Sequence, residues 1–162
     1  MRLAAVLLSA LVVAACAHPW HSMNLAPGTP REQVIARAGP PVREFALPDG
    51  GRRLQYTLQP LGQYAFNVDL DAGGRLARTT QVLTAANFQR IAPGTWTRAD
   101  IDREFGPPAR IDGVASWDGP IYTYRWHDHG DMFYWVYFDR QGVVRRAHPG
   151  MEHVNAPDDA RQ

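Results

Sequence analysis

The densest group of side chains that could do chemistry is the run His127-Asp128-His129-Gly130-Asp131. Imidazole nitrogens and carboxylate oxygens are ligands that divalent transition metals take in proteins. However, alternate residues at a hairpin tip rarely complete a tetrahedral site, and Asp and Gly are also ordinary turn residues. The sequence therefore predicts no resident metal and no cofactor, and the candidate ligands, if a metal binds, are His127 and His129.

Few residues of this chain are candidates for a catalytic nucleophile. Beyond residues 1–15 the serines are Ser22 and Ser116, and neither lies in a Gly-x-Ser-x-Gly turn. The glycines fall at turns and helix ends rather than in a phosphate-binding loop. These observations predict that the chain is not an enzyme.

Cys16 is the single cysteine of the sequence, so a disulfide within one chain is excluded. It follows Arg2 and an apolar stretch, residues 3–15, which is shorter than a bilayer span of roughly 20 residues and typical of a secretion signal. The end of that stretch, Val-Ala-Ala-Cys, resembles a bacterial lipobox, whose cysteine receives a diacylglycerol after cleavage. We predict a signal peptide at 1–15 and lipid attachment at Cys16. A plain signal peptide with an incidental thiol is the alternative.

Charge excludes several partner classes. All basic residues are arginines, and removal of residues 1–15 leaves 16 Arg against 16 Asp plus Glu. A chain with a net charge near zero has no electrostatic reason to bind nucleic acid, and charge alone does not draw it to an anionic membrane. The membrane contact predicted here is the lipid anchor, followed by a tether at 16–23. Ala17 after the cysteine favours the outer membrane.

The remaining chain repeats itself at a spacing of about 67 residues. The matching segments are Leu25-Ala-Pro-Gly-Thr29 with Ile91-Ala-Pro-Gly-Thr95, Gly39-Pro-Pro41 with Gly106-Pro-Pro108, and Asp71-Ala-Gly-Gly74 with Asp139-Arg-Gln-Gly142. We therefore predict two units, at 24–84 and 85–153, and a polar tail at 154–162.

Each unit is predicted to begin with a helix and continue into antiparallel strands. Thr29 and Thr97 are predicted helix caps, the latter with Asp100 at the third helical position. The segments that follow alternate polar and apolar residues, as half-buried strands do. The predicted fold class is α+β, with two tandem helix-plus-antiparallel-sheet units.

The two units differ most in one strand. The strand at 64–70 points Ala65, Asn67 and Asp69 away from its helix, so this face is expected to meet water. Its counterpart at 132–138 points outward the aromatic residues Phe133, Trp135 and Tyr137. An exposed aromatic stripe typically marks an interface. The alternative is that these rings pack against the first unit of the same chain.

Trp117 lies in the loop before the next strand of the second unit, beside Gly119 and Pro120. A tryptophan in such a loop can contact a ligand or partner. It can also close over the apolar core. The sequence leaves both interpretations of Trp117 open.

A Pro-Gly-Thr turn, a capped helix, a Gly-Pro-Pro stop, an aromatic strand and an Asp-x-x-Gly turn, in this order, resemble the SmpA/OmlA domain of BamE-type lipoproteins. The residues that carry the resemblance, with counterparts in the second unit, are Pro27, Gly28, Thr29, Val34, Gly39, Pro40, Tyr56, Asp71 and Gly74. The resemblance implies a helix pair on a small antiparallel sheet, an outer-membrane location, and a scaffold role in or near the β-barrel assembly machinery.

Two such units in one chain are also similar to the β-lactamase inhibitory protein, which binds an enzyme through joined sheets, although its disulfides have no counterpart here. We therefore predict a lipid-anchored, periplasm-facing protein-binding or scaffold module of the outer membrane. Its partner is expected to be a protein of the cell envelope, contacted through Phe133, Trp135, Tyr137 and Trp117. Inhibition of a periplasmic or secreted enzyme is the alternative function.

Overall fold

The structure is a computed structural model that describes residues 24–152. The predicted signal peptide, the lipid-attachment residue Cys16, the tether and the tail lie outside the described residues. The described chain forms three helices, α1 (Arg31–Ala38), α2 (Ala85–Phe88) and α3 (Arg98–Phe105). Its strands are β1 (Arg43–Ala46), β2 (Arg52–Thr57), β3 (Ala65–Leu70), β4 (Leu76–Gln81), β5 (Arg110–Asp112), β6 (Ile121–His127), β7 (Asp131–Phe138) and β8 (Val144–Met151). Within residues 24–152 no helix is long and apolar enough to cross a bilayer.

The strands form two antiparallel four-stranded sheets, β1-β2-β3-β4 and β5-β6-β7-β8, each in sequence order. Strands account for 40% of the structure and helices for 16%. The predicted fold class, two helix-plus-sheet units, was therefore wrong: the chain is mostly two antiparallel sheets with few helices. The physical reason is that α3 packs against both sheets, so the helices do not divide into one partner for each sheet.

One side of the first sheet packs on α1 and forms the smaller apolar core. Alternate residues of β2 and β3 point to this side, as strand geometry requires. An eight-residue helix is not stable alone in water, so α1 depends on this burial. The buried side chains of this core are Val34, Leu54, Tyr56, Val68, Leu70 and Leu76.

The larger apolar core lies between the second sheet and the helices α2 and α3. Phe88 of α2 stacks on Tyr134 of β7 with ring centroids 3.9 Å apart, and its ring lies 5.0 Å from that of Phe105 of α3. Tyr124 is fully buried, and its hydroxyl donates to Gly106 O at 2.8 Å. Burial raises the pKa of Tyr124 well above its usual value, so the hydroxyl stays a donor that ties the end of α3 to β6.

The two predicted helix caps have different outcomes. The prediction for Thr97 is confirmed: its backbone N–H donates to the Asp100 carboxylate at 2.8 Å, and its hydroxyl accepts from the Asp100 N–H. The prediction for Thr29 was wrong. Helix α1 begins at Arg31, and the Thr29 hydroxyl donates to Ala26 O at 2.6 Å in the preceding turn.

Corresponding backbone hydrogen bonds recur in the two halves of the described chain. In each half, the turn before the long helix donates a backbone hydrogen bond to the first residue of the last strand. The first residue of each of these helices donates to the turn that precedes that strand. The bonds are Gly28 N to Leu76 O and Gly94 N to Val144 O, then Arg31 N to Gly74 O and Arg98 N to Gly142 O. The division into units at 24–84 and 85–153 stays a prediction.

The side of the first sheet opposite α1 is covered by α3, so the expectation that it faces water was wrong. Its polar residues are almost fully buried, with relative exposures of 8% for Arg53, 2% for Gln55, 3% for Asn67 and 6% for Asp69. Burial of such groups is tolerated only when they find hydrogen-bond partners. The last turn of α3 provides partners for Arg53, Gln55 and Asn67. Asp69 is bound by Arg53 and Arg78 instead, and Gln55 Oε1 has no partner among the described residues.

The last carbonyl groups of a helix have no N–H donor within the helix, so they need donors from elsewhere. Gln55 Nε2 donates to Asp102 O at 3.0 Å and to Arg103 O at 2.9 Å. Asn67 Nδ2 donates to Glu104 O at 2.9 Å. The amide side chains of the first sheet therefore satisfy the C-terminal end of α3.

An ion pair completes this junction. Arg53 donates to both carboxylate oxygens of Asp69, at 2.7 and 3.0 Å, and to the Glu104 carboxylate of α3 at 3.2 Å. Burial alone would raise the pKa of Asp69, but hydrogen bonds from Arg53 and Arg78 outweigh burial, and its pKa lies below the usual value. The hydrogen bond to Asp69 raises the pKa of Arg53.

We expect Asp69→Asn to destabilise the fold, because it leaves the buried Arg53 without its main counter-charge. Removal of one partner of a buried pair costs about 3 kcal/mol. Urea unfolding at neutral pH measures this loss. Asp118→Asn, which breaks the exposed pair with Arg140, is the control and should cost less than about 1 kcal/mol. Equal losses in the two variants would contradict the assignment.

The same comparison should depend on pH. Because the pKa of Asp69 is lowered in the folded state, its carboxylate stabilises the fold above the unfolded value of about 3.9, and this stabilisation is lost as pH falls towards the folded pKa. The difference in unfolding free energy between wild type and Asp69→Asn should be full at neutral pH and shrink below about pH 4. A difference that is independent of pH would argue against the ion pair.

Candidate functional site

The side of the second sheet turned away from α2 and α3 carries Phe133, Trp135 and Tyr137 at alternate positions of β7. We call these three residues the aromatic face. All three side chains are partly exposed. Their ring contacts with other described residues involve Arg110, Trp117, Arg146 and His148, all from the second sheet and the segment that joins β5 to β6. Among the described residues, the ring and cation contacts of these three side chains thus come from the second half of the chain.

Trp135 extends across the neighbouring strand β8. A Cβ atom at Gly150 would overlap the Trp135 ring, so the glycine leaves room for the indole. His148 lies directly opposite Trp135 in the register. Its ring centroid lies 5.3 Å from that of Trp135 and 5.5 Å from that of Tyr137. The aromatic surface therefore spans both β7 and β8.

Trp117 is placed at one end of this surface. Its ring meets that of Tyr137 edge to face at 5.2 Å, and its indole N–H donates to Phe138 O at 2.8 Å. The indole is thus held against the outer side of the sheet and does not close over the apolar core. Trp117 extends the aromatic face, with its polar atom already bonded within the protein.

Two guanidinium groups lie over rings of the aromatic face. Arg110 lies 5.7 Å from the Phe133 centroid and is paired with Asp112 at 2.7 Å. Arg146 lies 5.2 Å from the Tyr137 centroid, and no carboxylate of residues 24–152 lies within 4.0 Å of it. A cation held over an aromatic ring gains about 0.5–1 kcal/mol at an exposed site. Arg146 therefore lies at the rim of an apolar surface without a counter-charge from residues 24–152.

The other end of the surface is closed by a loop of the first half of the chain. β5 has three residues, so the backbone of Arg125 lies beyond its pairing range. Gln59 replaces the missing strand: its Oε1 accepts from Arg125 N at 3.1 Å and its Nε2 donates to Arg125 O at 2.7 Å. The Arg125 side chain is paired with Glu152 at 2.9 Å. This corner is therefore electrostatically satisfied, unlike the corner at Arg146.

Equivalent positions of the two sheets carry contrasting side chains. Asn67 and Asp69 of β3 correspond in sequence to Trp135 and Tyr137 of β7. The first pair lies beneath the end of α3 and is buried. The second pair has no amide or carboxylate group with which to bind a helix end. The aromatic face therefore suits a partner that presents apolar groups.

Of the two candidate metal ligands, His127 is the last residue of β6 and His129 lies in the exposed turn between β6 and β7. His127 Nδ1 is 3.5 Å from the Asp131 carboxylate, and His129 Nδ1 is 2.8 Å from the Asp128 carboxylate. Each histidine thus has its own carboxylate, and the side chain of His129 is 96% exposed. Within the described part of the chain, no three His, Cys, Asp or Glu side chains gather as they would around a metal ion.

Sequence reasoning missed Arg146, His148 and Gly150, which complete the surface on β8. They occupy alternate positions of one strand, so they share a face once the strand is known to extend to Met151. A glycine and a proline near the end of this segment are poor strand formers, so the sequence did not show that the strand reaches Met151. Arg78 of β4 corresponds to Arg146 of β8 in the sequence repeat, and this correspondence was the signal that could have placed Arg146 beside the aromatic face.

Gly150→Ala should reorient Trp135 without unfolding the chain, because the new methyl group meets the far end of a rotatable side chain. We expect a change in tryptophan fluorescence and a stability loss of about 1–3 kcal/mol. Gly113→Ala is the control, since nothing lies near a Cβ there. Unchanged fluorescence in Gly150→Ala would show that the indole does not occupy the space above this glycine.

No protein-family model matches the chain, and no curated protein matches it. A solved structure with a partial similarity is the crystal structure of YjgB, a DUF4309 family protein from Bacillus subtilis. It is 16% identical, with a TM-score of 0.32 over 76% of this chain and 78% of that chain. That similarity is too low to carry an argument about fold or function, and the resemblance to SmpA/OmlA-type lipoproteins stays a prediction.

Proposed function

We propose that this chain is a lipid-anchored, periplasm-facing module of the outer membrane, and that its aromatic face docks a protein partner. The chain would then act as a scaffold, without chemistry of its own. The observation that carries this proposal is the aromatic face, a set of clustered rings that no helix or strand of residues 24–152 covers. Apolar surfaces of this kind in soluble domains are typically interaction sites.

The composition of the surface supports a protein partner. Tryptophan, tyrosine and arginine are the residues most enriched among those that dominate binding energy in protein interfaces. Trp135 and Tyr137 are held by their neighbours before any partner arrives, so binding does not have to order them. The aromatic face therefore loses little conformational freedom when a partner binds.

The arginines around the aromatic face indicate which chemical groups the partner should present. Arg146 has no counter-charge within the described residues, whereas Arg110 and Arg125 at the other corners are paired. Complementary charge at the rim of an interface steers association and penalises wrong partners. We therefore expect a partner segment that combines apolar side chains with at least one carboxylate positioned to reach Arg146.

The proposed anchor would hold this surface near the membrane. Each buried methylene of an acyl chain contributes about 0.8 kcal/mol, so several chains at Cys16 would bind the membrane firmly. A tether at 16–23 would let the folded part reach partners in the same membrane. This part of the proposal rests on the sequence around Cys16.

The anchor is tested with Cys16→Ser in the full chain. We expect the variant to move from the membrane fraction to the soluble fraction, because the acylated sulfur is lost. Mass spectrometry of the wild-type peptide that begins at residue 16 should find the added lipid mass. A wild-type chain whose Cys16 is unmodified would disprove the anchor and leave the docking surface untouched.

The docking surface is tested by crosslinking in intact cell envelopes, with an affinity tag on the full chain. Trp135→Ala should reduce partner recovery, since truncating a central aromatic residue costs about 2 kcal/mol, roughly 30-fold in affinity. Arg146→Glu should also reduce it, by repelling the partner's carboxylate. Arg37→Glu, a change at an exposed position of α1, is the charge-matched control.

Circular dichroism establishes that each variant remains folded. The crosslinked partner peptide should carry apolar and acidic residues. Equal recovery by wild type, Trp135→Ala and Arg146→Glu would rule out the aromatic face as the docking surface. Loss in Arg37→Glu as well would indicate a general effect of charge instead.

A further inference from the structure

A concave site lies on the opposite side of the larger core, away from the aromatic face. It is a cavity of about 340 Å³ between the first sheet and the helices α2 and α3. Three arginines and one glutamate contribute to its wall, together with polar and apolar side chains. The wall includes Arg53, Arg78, Val82, Arg90, Glu104 and Phe105.

The arginines of the wall are not equally engaged. Arg53 is bound by Asp69 and Glu104, as described above. Arg78 donates one NH2 hydrogen bond to Asp69 at 2.7 Å and leaves its other guanidinium nitrogens without a partner among the described residues. The nearest carboxylate oxygen to Arg90, from Glu104, is 3.8 Å away, beyond hydrogen-bond distance. Two guanidinium groups therefore retain donors at this cavity.

The charges at the cavity do not balance. Arg53, Arg78 and Arg90 face two carboxylates, Asp69 and Glu104, which leaves one positive charge in excess. The neighbouring Arg103 lies 3.7 Å from Glu104 but pairs more closely with Asp100 of the same helix, at 2.7 Å, so these two opposite charges are left out of the balance. The side chains of Arg78 and Arg90 are 67% and 59% exposed, so a ligand that enters the cavity can reach their donors.

We infer that this cavity binds a small molecule that carries one oxyanion group, a carboxylate or a phosphate. The planar guanidinium groups of Arg78 and Arg90 are suited to the paired oxygens of such a group. The Thr80 hydroxyl, which makes no hydrogen bond with another described residue, can add a donor. Val82 and Phe105 give the cavity an apolar wall for a short organic body.

A bound ligand would touch both halves of the molecule. The wall residues Arg78 and Thr80 belong to β4 of the first sheet, whereas Arg90 follows α2 and Phe105 belongs to α3. A ligand that binds the folded state alone stabilises it by mass action. Occupation of the cavity should therefore raise the melting temperature of the chain.

The test uses the full chain at constant ionic strength, with inorganic phosphate, glycerol phosphate and butyrate as separate probes. Calorimetric titration measures binding, and thermal unfolding measures stabilisation. Binding of phosphate and glycerol phosphate alone assigns a phosphate group, binding of butyrate alone assigns a carboxylate, and binding of all three supports a general oxyanion site. Absence of binding by every probe overturns the proposal.

Arg90→Gln should weaken binding of the effective probe by about tenfold or more, because it removes the guanidinium that lacks a close counter-charge. Arg52→Gln is a closely matched control. Arg52 also lies 3.8 Å from a glutamate, and its side chain is 61% exposed against 59% for Arg90. The control should change affinity by less than roughly twofold. Equal weakening in both variants would show an effect of net charge alone and overturn the site.

Discussion

The structure depends on the burial of one helix end. The last carbonyl groups of α3 lie against the first sheet, where they would be costly without donors. Gln55 and Asn67 supply amide donors, and the ion pair of Arg53 with Asp69 closes the edge of the contact. Because the opposite side of α3 packs in the second core, this contact fixes how the two sheets are layered. The first sheet is thereby covered on both sides, and the second sheet on one.

The exposed side of the second sheet follows from that arrangement. Its strand β7 repeats the register of β3, yet aromatic rings replace the amide and carboxylate groups that receive α3. Polar residues in the first sheet are thus buried by the chain itself, whereas the aromatic residues of the second remain accessible. This reversal of the usual polar and apolar distribution is the basis of the proposal that the second sheet binds a partner.

Much of the local structure could be predicted from the sequence. Strict alternation located β3 and β7, and the spacing of Thr97 and Asp100 predicted the start of α3. The position of α3 between the sheets could not be predicted, because Asn67 and Asp69 have the same alternation whether they face water or a helix end. Only the element that packs on this face, α3, distinguishes the two cases, and α3 is distant from β3 in sequence. For the same reason the fold class was assigned incorrectly.

The candidate surface was predicted in part. The aromatic residues of β7 were found from alternation alone, whereas their neighbours on β8 required the strand pairing, which local patterns do not supply. The charge of Arg146 acquires meaning only beside Tyr137, and the space above Gly150 only beside Trp135. Composition and spacing identify the residues, but neighbours across strands decide what those residues can do.

The shared position of α3 also has a consequence for how the molecule unfolds. A helix of eight residues does not persist in isolation, and α3 contributes Phe105 to one core and its terminal carbonyl groups to the opposite sheet. Loss of either contact exposes apolar surface or buried polar groups that the other contact alone does not compensate. Sequence repetition would suggest two segments that melt separately, as in solenoid arrays. Because α3 is shared, we expect the two halves to unfold in one cooperative transition.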